Sequence, residues 1–372
     1  MHTNQLQKVV DATMHGQVPP NGLSSGQGVQ LIPLPLHGGQ VRAVMQYFAG
    51  APEPFIDLST GVSPFAYPLV WPPLAKLHCL PEEGEEWALQ QVAATAYGVH
   101  GPEMVVSGAG SQSLIALLPR LLEVQNACVL GPTYSGHQQA WQSYGVPCAV
   151  VEHLWQVQQA ARQAGTVCVI CNPNNPDGRL LDVQTLAALA QQCAQVGSWL
   201  VVDEAFADFG NQSVASLLPH PALVVLRSFG KTYGLPGVRL GFLLATPELA
   251  HHARTLQGAW PVGAVALAAG QQALVDTQWL RQAGQQARTA HHRLVDALQK
   301  AGFECRGQST LFTLVTVADA YALWVHLCRH GIVTRRFAEQ PHWLRFGLPA
   351  SESAWHRLER ALAAWSGGEP VA

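Results

Sequence analysis

From residue 100 onward, short apolar runs alternate with stretches that have the length and period of helices. The runs "EMVVSG", "ACVLGP", "VCVICNP", "WLVVDEA", "LVVLRSF" and "RLGFLLA" are typical of buried strands, and stretches such as "SQSLIALLPRLL" and "DVQTLAALAQQCAQVG" separate most of them. Strands covered on both faces have continuous apolar runs instead of alternating ones. The pattern therefore predicts an α/β fold with a mostly parallel sheet that is flanked by helices.

The pattern changes after about residue 263. A long Ala/Gln/Arg-rich helical stretch precedes "STLFTLVTV", a helix at "DAYALWVHLCRHG", a strand pair and a final helix from about residue 351. This order predicts a second, smaller α+β domain. We expect four parts: a flexible N-terminal extension at 1–30, a segment at 31–54 that packs with the small domain, the large domain at 55–262, and the small C-terminal domain at 263–372.

Composition and charge exclude several classes of partner. The formal net charge is -3 and no basic tract occurs, so we expect no nucleic acid bound through a general positive surface. No apolar run reaches the roughly 20 residues that cross a bilayer, and the N-terminus lacks the basic-then-apolar pattern of a signal peptide. We therefore expect a cytoplasmic protein without a membrane partner.

The cysteines and histidines do not indicate a metal site. The eight cysteines are scattered, unlike those of a disulfide framework or a zinc site. Cys168 and Cys171 form a C-x-x-C, but they lie in the apolar run "TVCVICNP", which favours a buried strand over a redox or metal site. The adjacent pairs His251/His252 and His291/His292 would diverge by about 100° on a helix, so neither pair could jointly bind a metal.

Ligands of open α/β sheets bind beyond the carboxyl ends of the strands, so the loops there are the first candidates for a site. In "VVSGAGSQSL", Ala109 and Gly110 lie between a strand and a helix. Their backbone N–H groups could approach a phosphate, although a plain tight turn explains them equally well. "CNPNNPDGR", with Asn175, indicates only a turn. Asp203 in "VVDEAFADF" could bind a metal, although a solvated acid is the favoured interpretation.

The next loop, "RSFGKTYGLPGVRLGF", contains a single lysine, Lys231, directly after the apolar strand run "PALVVL". Lysines usually lie on solvated helix faces, whereas this one sits where a core strand ends. Ser228 precedes it by three residues, and Arg239 follows it by eight. A lysine that is partly shielded from water has a depressed pKa and can act as a nucleophile.

Taken in order, these motifs resemble the fold type I enzymes that use pyridoxal 5'-phosphate, over about residues 31–366. The resemblance implies that Lys231 bonds covalently to the cofactor aldehyde and later carries a proton. It also implies roles for the groups around the cofactor. Asp203 pairs with the pyridine nitrogen, Asn175 donates to the ring oxygen, Tyr134 lies over the ring, and Ser228, Arg239, Ala109 and Gly110 hold the phosphate. Arg345 in "HWLRFGLP" matches the arginine that binds the substrate α-carboxylate.

Two departures from this pattern argue against simple transamination. Aminotransferases with this motif order usually have a tyrosine where this chain has Phe206, and histidinol-phosphate aminotransferases have a tyrosine-proline pair where "CLPEEGE" places Leu80. The stretches "LPLHGGQVRAV", "FIDLSTGVSPFAYP", "NPNNPDGR" and "GIVTRRF" are instead similar to those of the threonine-phosphate decarboxylases of cobalamin synthesis. A histidinol-phosphate or related amino-acid aminotransferase remains the alternative.

The decarboxylase resemblance implies loss of CO2 from L-threonine O-3-phosphate, which gives (R)-1-aminopropan-2-yl phosphate. A phosphorylated amino-acid substrate requires a cationic pocket, for which we nominate Arg335 and His37, with Arg336 as the alternative to Arg335. Family active sites form between two subunits, so the resemblance also implies a homodimer. A cofactor-binding regulatory module would need a fused DNA-binding segment, and residues 1–30 are too short and polar to supply one.

Overall fold

A computed structural model describes Ile32 and residues 37–366 of the chain. Its larger sheet has seven strands, which lie side by side in the order β2-β8-β7-β6-β5-β3-β4. These strands are β2 (Val105–Gly108), β3 (Asn126–Leu130), β4 (Cys148–Val151), β5 (Thr166–Cys171), β6 (Trp199–Asp203), β7 (Leu223–Ser228) and β8 (Gly241–Leu244). Strand β8 is antiparallel to both of its neighbours, and the other adjacent strands pair in parallel. The predicted α/β architecture with a mostly parallel sheet is confirmed.

Helices cover both faces of this sheet. They are α2 (Glu83–Tyr97), α3 (Ser111–Leu122), α4 (Ser135–Ser143), α5 (Leu154–Ala160), α6 (Val183–Val196), α7 (Phe229–Thr232), α8 (Pro247–Gln257) and α9 (Ala264–Ala273). One apolar cluster contains Leu89 and Leu186 from the helices of one face, and a second contains Leu114 and Trp141 from the other. Because the strands are covered on both sides, their sequences are almost continuously apolar.

The helix ends follow from local sequence. Asp182 begins α6, because its carboxylate accepts a hydrogen bond of 2.7 Å from the Thr185 N–H. Gly197 ends the same helix with φ 71°, a left-handed conformation that glycine adopts at little cost. The stretch "SQSLIALLPRLL" is α3 from its first residue to its last. The signals in these segments are local, so the sequence alone predicts them well.

A second sheet has the order β1-β11-β12-β10-β9. Its strands are β1 (Ile56–Leu58), β9 (Glu304–Arg306), β10 (Phe312–Thr316), β11 (Ile332–Phe337) and β12 (Gln340–Gly347). The helices α1 (Val41–Met45), α10 (Thr277–Lys300), α11 (Ala320–Arg329) and α12 (Glu352–Ala363) accompany it. Strand β1 pairs in parallel with β11, and the remaining pairs are antiparallel. The small α+β unit therefore contains one strand from near the start of the described chain.

The N-terminal segment contacts this second unit. The Phe48 ring packs edge-on against Trp324 of α11, with centroids 5.7 Å apart. Strand β1 lies just after residue 54, within the range that we assigned to the large domain, yet it belongs to the second sheet. The four domain limits remain predictions, and the proposed extension at 1–30 lies outside the described residues. Within residues 37–366, no helix is long and apolar enough to span a bilayer.

Candidate active site

Lys231 lies on α7, which starts directly after β7. Its Nζ is 5.6 Å from the centroid of the Phe206 ring. Burial, together with the positive charges of Arg345 and Arg239, lowers the Lys231 pKa from 10.5 to about 8, although Asp203 opposes this shift. The neutral amine is consequently roughly 300 times more abundant at neutral pH than for an ordinary lysine. The position therefore suits a nucleophilic amine that can also carry a proton.

Asp203 ends β6 as a buried carboxylate with fixed hydrogen bonds. One oxygen accepts from the Ala205 N–H at 3.0 Å, and the other lies 2.8 Å from Nε2 of buried His137. Burial alone would lower the His137 pKa, but Cys171 and Asp203 raise it to about 10. A protonated His137 donates a charge-assisted hydrogen bond to the carboxylate.

Sequence reasoning missed His137. The only sequence signal was its place three residues after Tyr134 on the first turn of α4. Ligand atoms of His137, Cys171 and Asp203 lie within 4.8 Å of one another, so the expectation that the chain binds no metal stays a prediction.

Gly110 and Arg239 form a cup at the start of α3. Gly110 has φ 81°, and a Cβ there would lie 2.9 Å from Cζ of Arg239. Among the described residues, no side chain caps this helix start. Ala109 is exposed next to Gly110. Ser228 lies at the end of β7, at the same edge of the sheet. A free helix N-terminus next to a guanidinium can hold a phosphate.

Tyr134 lies next to this cup and to Asp203. Its hydroxyl donates to Oε1 of Gln112 at 2.7 Å. Burial and the Asp203 charge raise the Tyr134 pKa, and the nearby Arg239 lowers it. The His37 ring is exposed, with its centroid 6.1 Å from that of Tyr134. The structure thus brings the nominated His37 to the same side of the molecule as the cup.

Arg345 is buried in β12 with a fixed orientation. Nη1 donates to Oδ1 of Asn175 at 2.5 Å, and Nη2 donates to the Ser59 carbonyl at 2.8 Å. Its Cζ lies 4.9 Å from the centroid of the Phe312 ring. Burial and the charge of Arg335 lower the Arg345 pKa to about 9, against the effect of Asp57. In the part of the chain that the structure describes, Nε of Arg345 has no partner, so the guanidinium can still bind an anion.

Arg335 lies directly opposite Arg345 on the neighbouring strand β11. Residues paired in this way point to the same face of a sheet, which agrees with the effect of Arg335 on the Arg345 pKa. Arg336 is the next residue and points to the other face, where its Cζ lies 4.5 Å from the Tyr321 ring centroid and 5.1 Å from that of Trp324. The strand register therefore separates two arginines that the sequence could not tell apart.

Phe206 and Phe312 form an apolar wall beside Lys231. Their rings meet edge to face with centroids 5.0 Å apart. A Cβ on Gly61 would lie 2.8 Å from Phe206 and 2.9 Å from Phe312, so only glycine fits there. The position where related aminotransferases have a tyrosine hydroxyl is therefore part of a tightly packed aromatic contact. Leu80, the second departure, is 65% exposed.

Together, the mostly parallel seven-stranded sheet, the second sheet, and the lysine and aspartate at the carboxyl ends of β7 and β6 define a protein of fold type I, the architecture of aminotransferases. The family model of class I and II aminotransferases matches residues 88–362, and the chain belongs to this family.

Individual relatives differ in their activities. The chain is 37% identical to a threonine-phosphate decarboxylase of Pseudomonas aeruginosa, over 88% of this chain and 96% of the relative. It is 30% identical to histidinol-phosphate aminotransferase 1 of Cupriavidus pinatubonensis, over 90% and 99% of the two chains. The crystal structure of a histidinol-phosphate aminotransferase from Sinorhizobium meliloti, in complex with pyridoxal-5'-phosphate, aligns with a TM-score of 0.74 at 22% identity and covers 86% of this chain and 93% of that one.

Proposed function

We propose that this chain is a pyridoxal 5'-phosphate-dependent decarboxylase that converts L-threonine O-3-phosphate to (R)-1-aminopropan-2-yl phosphate and CO2, a step of cobalamin synthesis. The observation that carries the proposal is the pair Arg335 and Arg345, which lie opposite each other on one face of the second sheet. Two guanidiniums on one sheet face form a cationic surface that suits an anionic ligand. A substrate with a carboxylate and a phosphate a few bonds apart supplies two such anions.

The residues fit the cofactor. The helix N-terminus at Gly110 and the Arg239 guanidinium would hold the cofactor phosphate, and a Cβ on Gly110 would clash with that guanidinium. Asp203 presents a buried carboxylate to hold a protonated ring nitrogen, and His137 fixes the carboxylate from behind. Tyr134 provides an aromatic platform, and Asn175 and Ser228 provide polar contacts. When bound, the cofactor supplies an aldehyde and an electron-accepting ring.

The protein's own groups select the bond that breaks. Arg345 holds the α-carboxylate through its guanidinium fork, and its hydrogen bonds to Asn175 and Ser59 fix the direction of that fork. Departure of CO2 requires the Cα–carboxylate bond to stand perpendicular to the acceptor ring, so orientation of the carboxylate decides the reaction. The ammonium of Lys231 then delivers a proton to Cα. Its lowered pKa of about 8 allows both proton uptake and proton release near neutral pH.

We propose that Arg335 binds the substrate phosphate and that His37 provides a second contact. His37, Ser59 and Arg335 line one small cavity, and Arg336 also borders it. The guanidinium of Arg336 is stacked on Tyr321 and Trp324. Arg336 is therefore held on the opposite sheet face from Arg345. Arg335 shares the face of Arg345 and is the better candidate for the phosphate.

The active protein is a cytoplasmic homodimer in this proposal, with no nucleic-acid or membrane partner. Five apolar side chains that precede α2 are 55–72% exposed: Val70, Trp71, Leu74, Leu77 and Leu80. Gln272 anchors the segment, because its side chain exchanges hydrogen bonds with the Val70 backbone in both directions. Several exposed apolar side chains on one anchored segment are typical of a protein–protein interface, and a second copy of this chain is the occupant that the family suggests.

One assay separates the proposal from the aminotransferase alternative, which the 30% identity to a histidinol-phosphate aminotransferase supports. Purified protein with cofactor is incubated with L-threonine O-3-phosphate, and separately with L-histidinol phosphate and 2-oxoglutarate. The decarboxylase releases CO2 and a phosphorylated amine in the first reaction and no glutamate in the second. Glutamate formation without CO2 release would establish the aminotransferase instead.

A further inference from the structure

The turn "HGG" at 37–39 is fastened to a single residue, Ser59. A Cβ on Gly38 would lie 2.9 Å from the Ser59 carbonyl carbon and closer still to its oxygen. The Gly39 N–H donates a hydrogen bond of 2.8 Å to the Ser59 hydroxyl. The turn therefore contacts both the backbone and the side chain of Ser59, and glycine is required at 38 for this close approach.

Ser59 is itself held from the other side. Its hydroxyl donates to Oδ1 of Asp57 at 2.6 Å, and its N–H donates to the same oxygen at 2.8 Å. Asp57 is paired with Val333 in the parallel ladder of β1 and β11. With its side chain and N–H both engaged, buried Ser59 has little freedom to shift by itself.

The third contact of Ser59 reaches the candidate site. Its carbonyl accepts from Nη2 of Arg345 at 2.8 Å, while Nη1 of the same guanidinium donates to Asn175. These two bonds set the plane of the guanidinium. A displacement of the Ser59 carbonyl would consequently turn the fork that faces the substrate carboxylate.

We propose that Ser59 is a positioning residue that couples the turn at 37–39 to the orientation of Arg345 and so sets the affinity for the substrate α-carboxylate. The inference rests on the proposed function only in the role given to Arg345. It makes the turn part of the recognition machinery, because the turn also carries His37, whose ring lies 6.1 Å from that of Tyr134.

Two variants disturb the coupling from different sides. Ser59→Ala removes the hydroxyl contacts with Gly39 and Asp57, and Gly38→Ala forces the turn away from the Ser59 carbonyl. Ser59→Thr retains the hydroxyl and should restore binding. Gly84→Ala is the matched glycine control, since a Cβ at Gly84 meets nothing within 4 Å. Circular dichroism and absorbance titration with cofactor establish that each variant is folded and loaded.

The decisive measurement compares two ligands by calorimetry in one background, the non-reacting Lys231→Ala protein loaded with cofactor. L-threonine O-3-phosphate has the carboxylate, and (R)-1-aminopropan-2-yl phosphate lacks it. We expect Ser59→Ala and Gly38→Ala to weaken the first ligand by roughly 10- to 100-fold, the scale of a misplaced binding group, and to change the second by less than about twofold. Equal losses for both ligands, or no loss for either, would overturn the proposal.

The comparison also keeps the two proposals apart. If wild-type protein releases no CO2 from L-threonine O-3-phosphate, the proposed reaction fails. The same variants are then tested with an amino acid that the wild type does bind and with the corresponding amine. Loss of affinity confined to the amino acid would still support the role of Ser59, whereas an unchanged preference would refute it.

Discussion

Replacement of Arg335 by alanine should remove most of the preference for the phosphorylated substrate. Arg335 and Arg345 are directly opposed on adjacent strands, and any two unit charges of the same sign about 6 Å apart repel by about 3 kcal/mol at an effective dielectric constant of about 20. A bound dianion relieves that repulsion and gains a charge-assisted contact. Loss of a charged partner typically costs about 2 to 5 kcal/mol. Since Arg335 is only half-buried, we expect the lower part of this range, a loss of roughly 30- to 300-fold.

The assay compares kcat/KM for L-threonine O-3-phosphate and for L-threonine, measured by CO2 release. Arg335→Ala should reduce the first by the factor above and change the second by less than about threefold. Arg336→Ala is the matched control, because its guanidinium stacks on Tyr321 and Trp324 on the opposite face. That variant should lose stability but keep the preference. The reasoning is refuted if Arg335→Ala retains the preference or if Arg336→Ala loses it.

Three further predictions concern the cofactor site and its packing. Borohydride should fix the cofactor to the peptide that contains Lys231, and label on another lysine would contradict this. The rate of cofactor binding by the apoprotein should rise with pH through a midpoint near 8, because the lowered pKa of Lys231 makes its neutral amine available at lower pH. A midpoint near that of an ordinary lysine would contradict the second expectation. Asp203→Asn should reduce turnover by about 10²- to 10³-fold or more with cofactor still bound, as loss of a preorganised charge does, and a near-normal rate would show that another group holds the ring nitrogen. Gly61→Ala should lower the free energy of unfolding in urea by about 1 to 3 kcal/mol through overpacking of the two phenylalanines, whereas Gly84→Ala should leave it unchanged or raise it.

Most strands and helices of the large sheet could be predicted in their order along the chain, because their signals are local. Each core strand of that sheet appears as an apolar run, and α3 coincides with the stretch "SQSLIALLPRLL". The edge strand β4 was missed. It has four residues that are half-buried or exposed, so it lacks the continuous apolar run of the inner strands. Strand β1 was missed as well, because three residues give no period and their partner lies more than 270 positions away.

The site residues likewise divide into those with a local sequence signal and those without one. Lys231 and Asp203 could be nominated because each follows a strand run directly in sequence, where ligands of such sheets bind. His137, Ser59 and Phe312 gave no such signal, since their importance comes from contacts between distant parts of the chain. Alternation along β11 shows that Arg335 and Arg336 face opposite sides, but only the register with β12 shows which of them lies beside Arg345.

The central claim is that the α-carboxylate leaves and that Lys231 returns a proton to the same carbon. We would test it with L-threonine O-3-phosphate labelled with ¹³C in the carboxylate, incubated with holoenzyme in D2O and followed by NMR. We expect labelled CO2 in equal amount to (R)-1-aminopropan-2-yl phosphate, with a single deuterium on the carbon that lost the carboxylate. A keto acid that retains the label, or recovered substrate that has exchanged its Cα proton without releasing CO2, would contradict it.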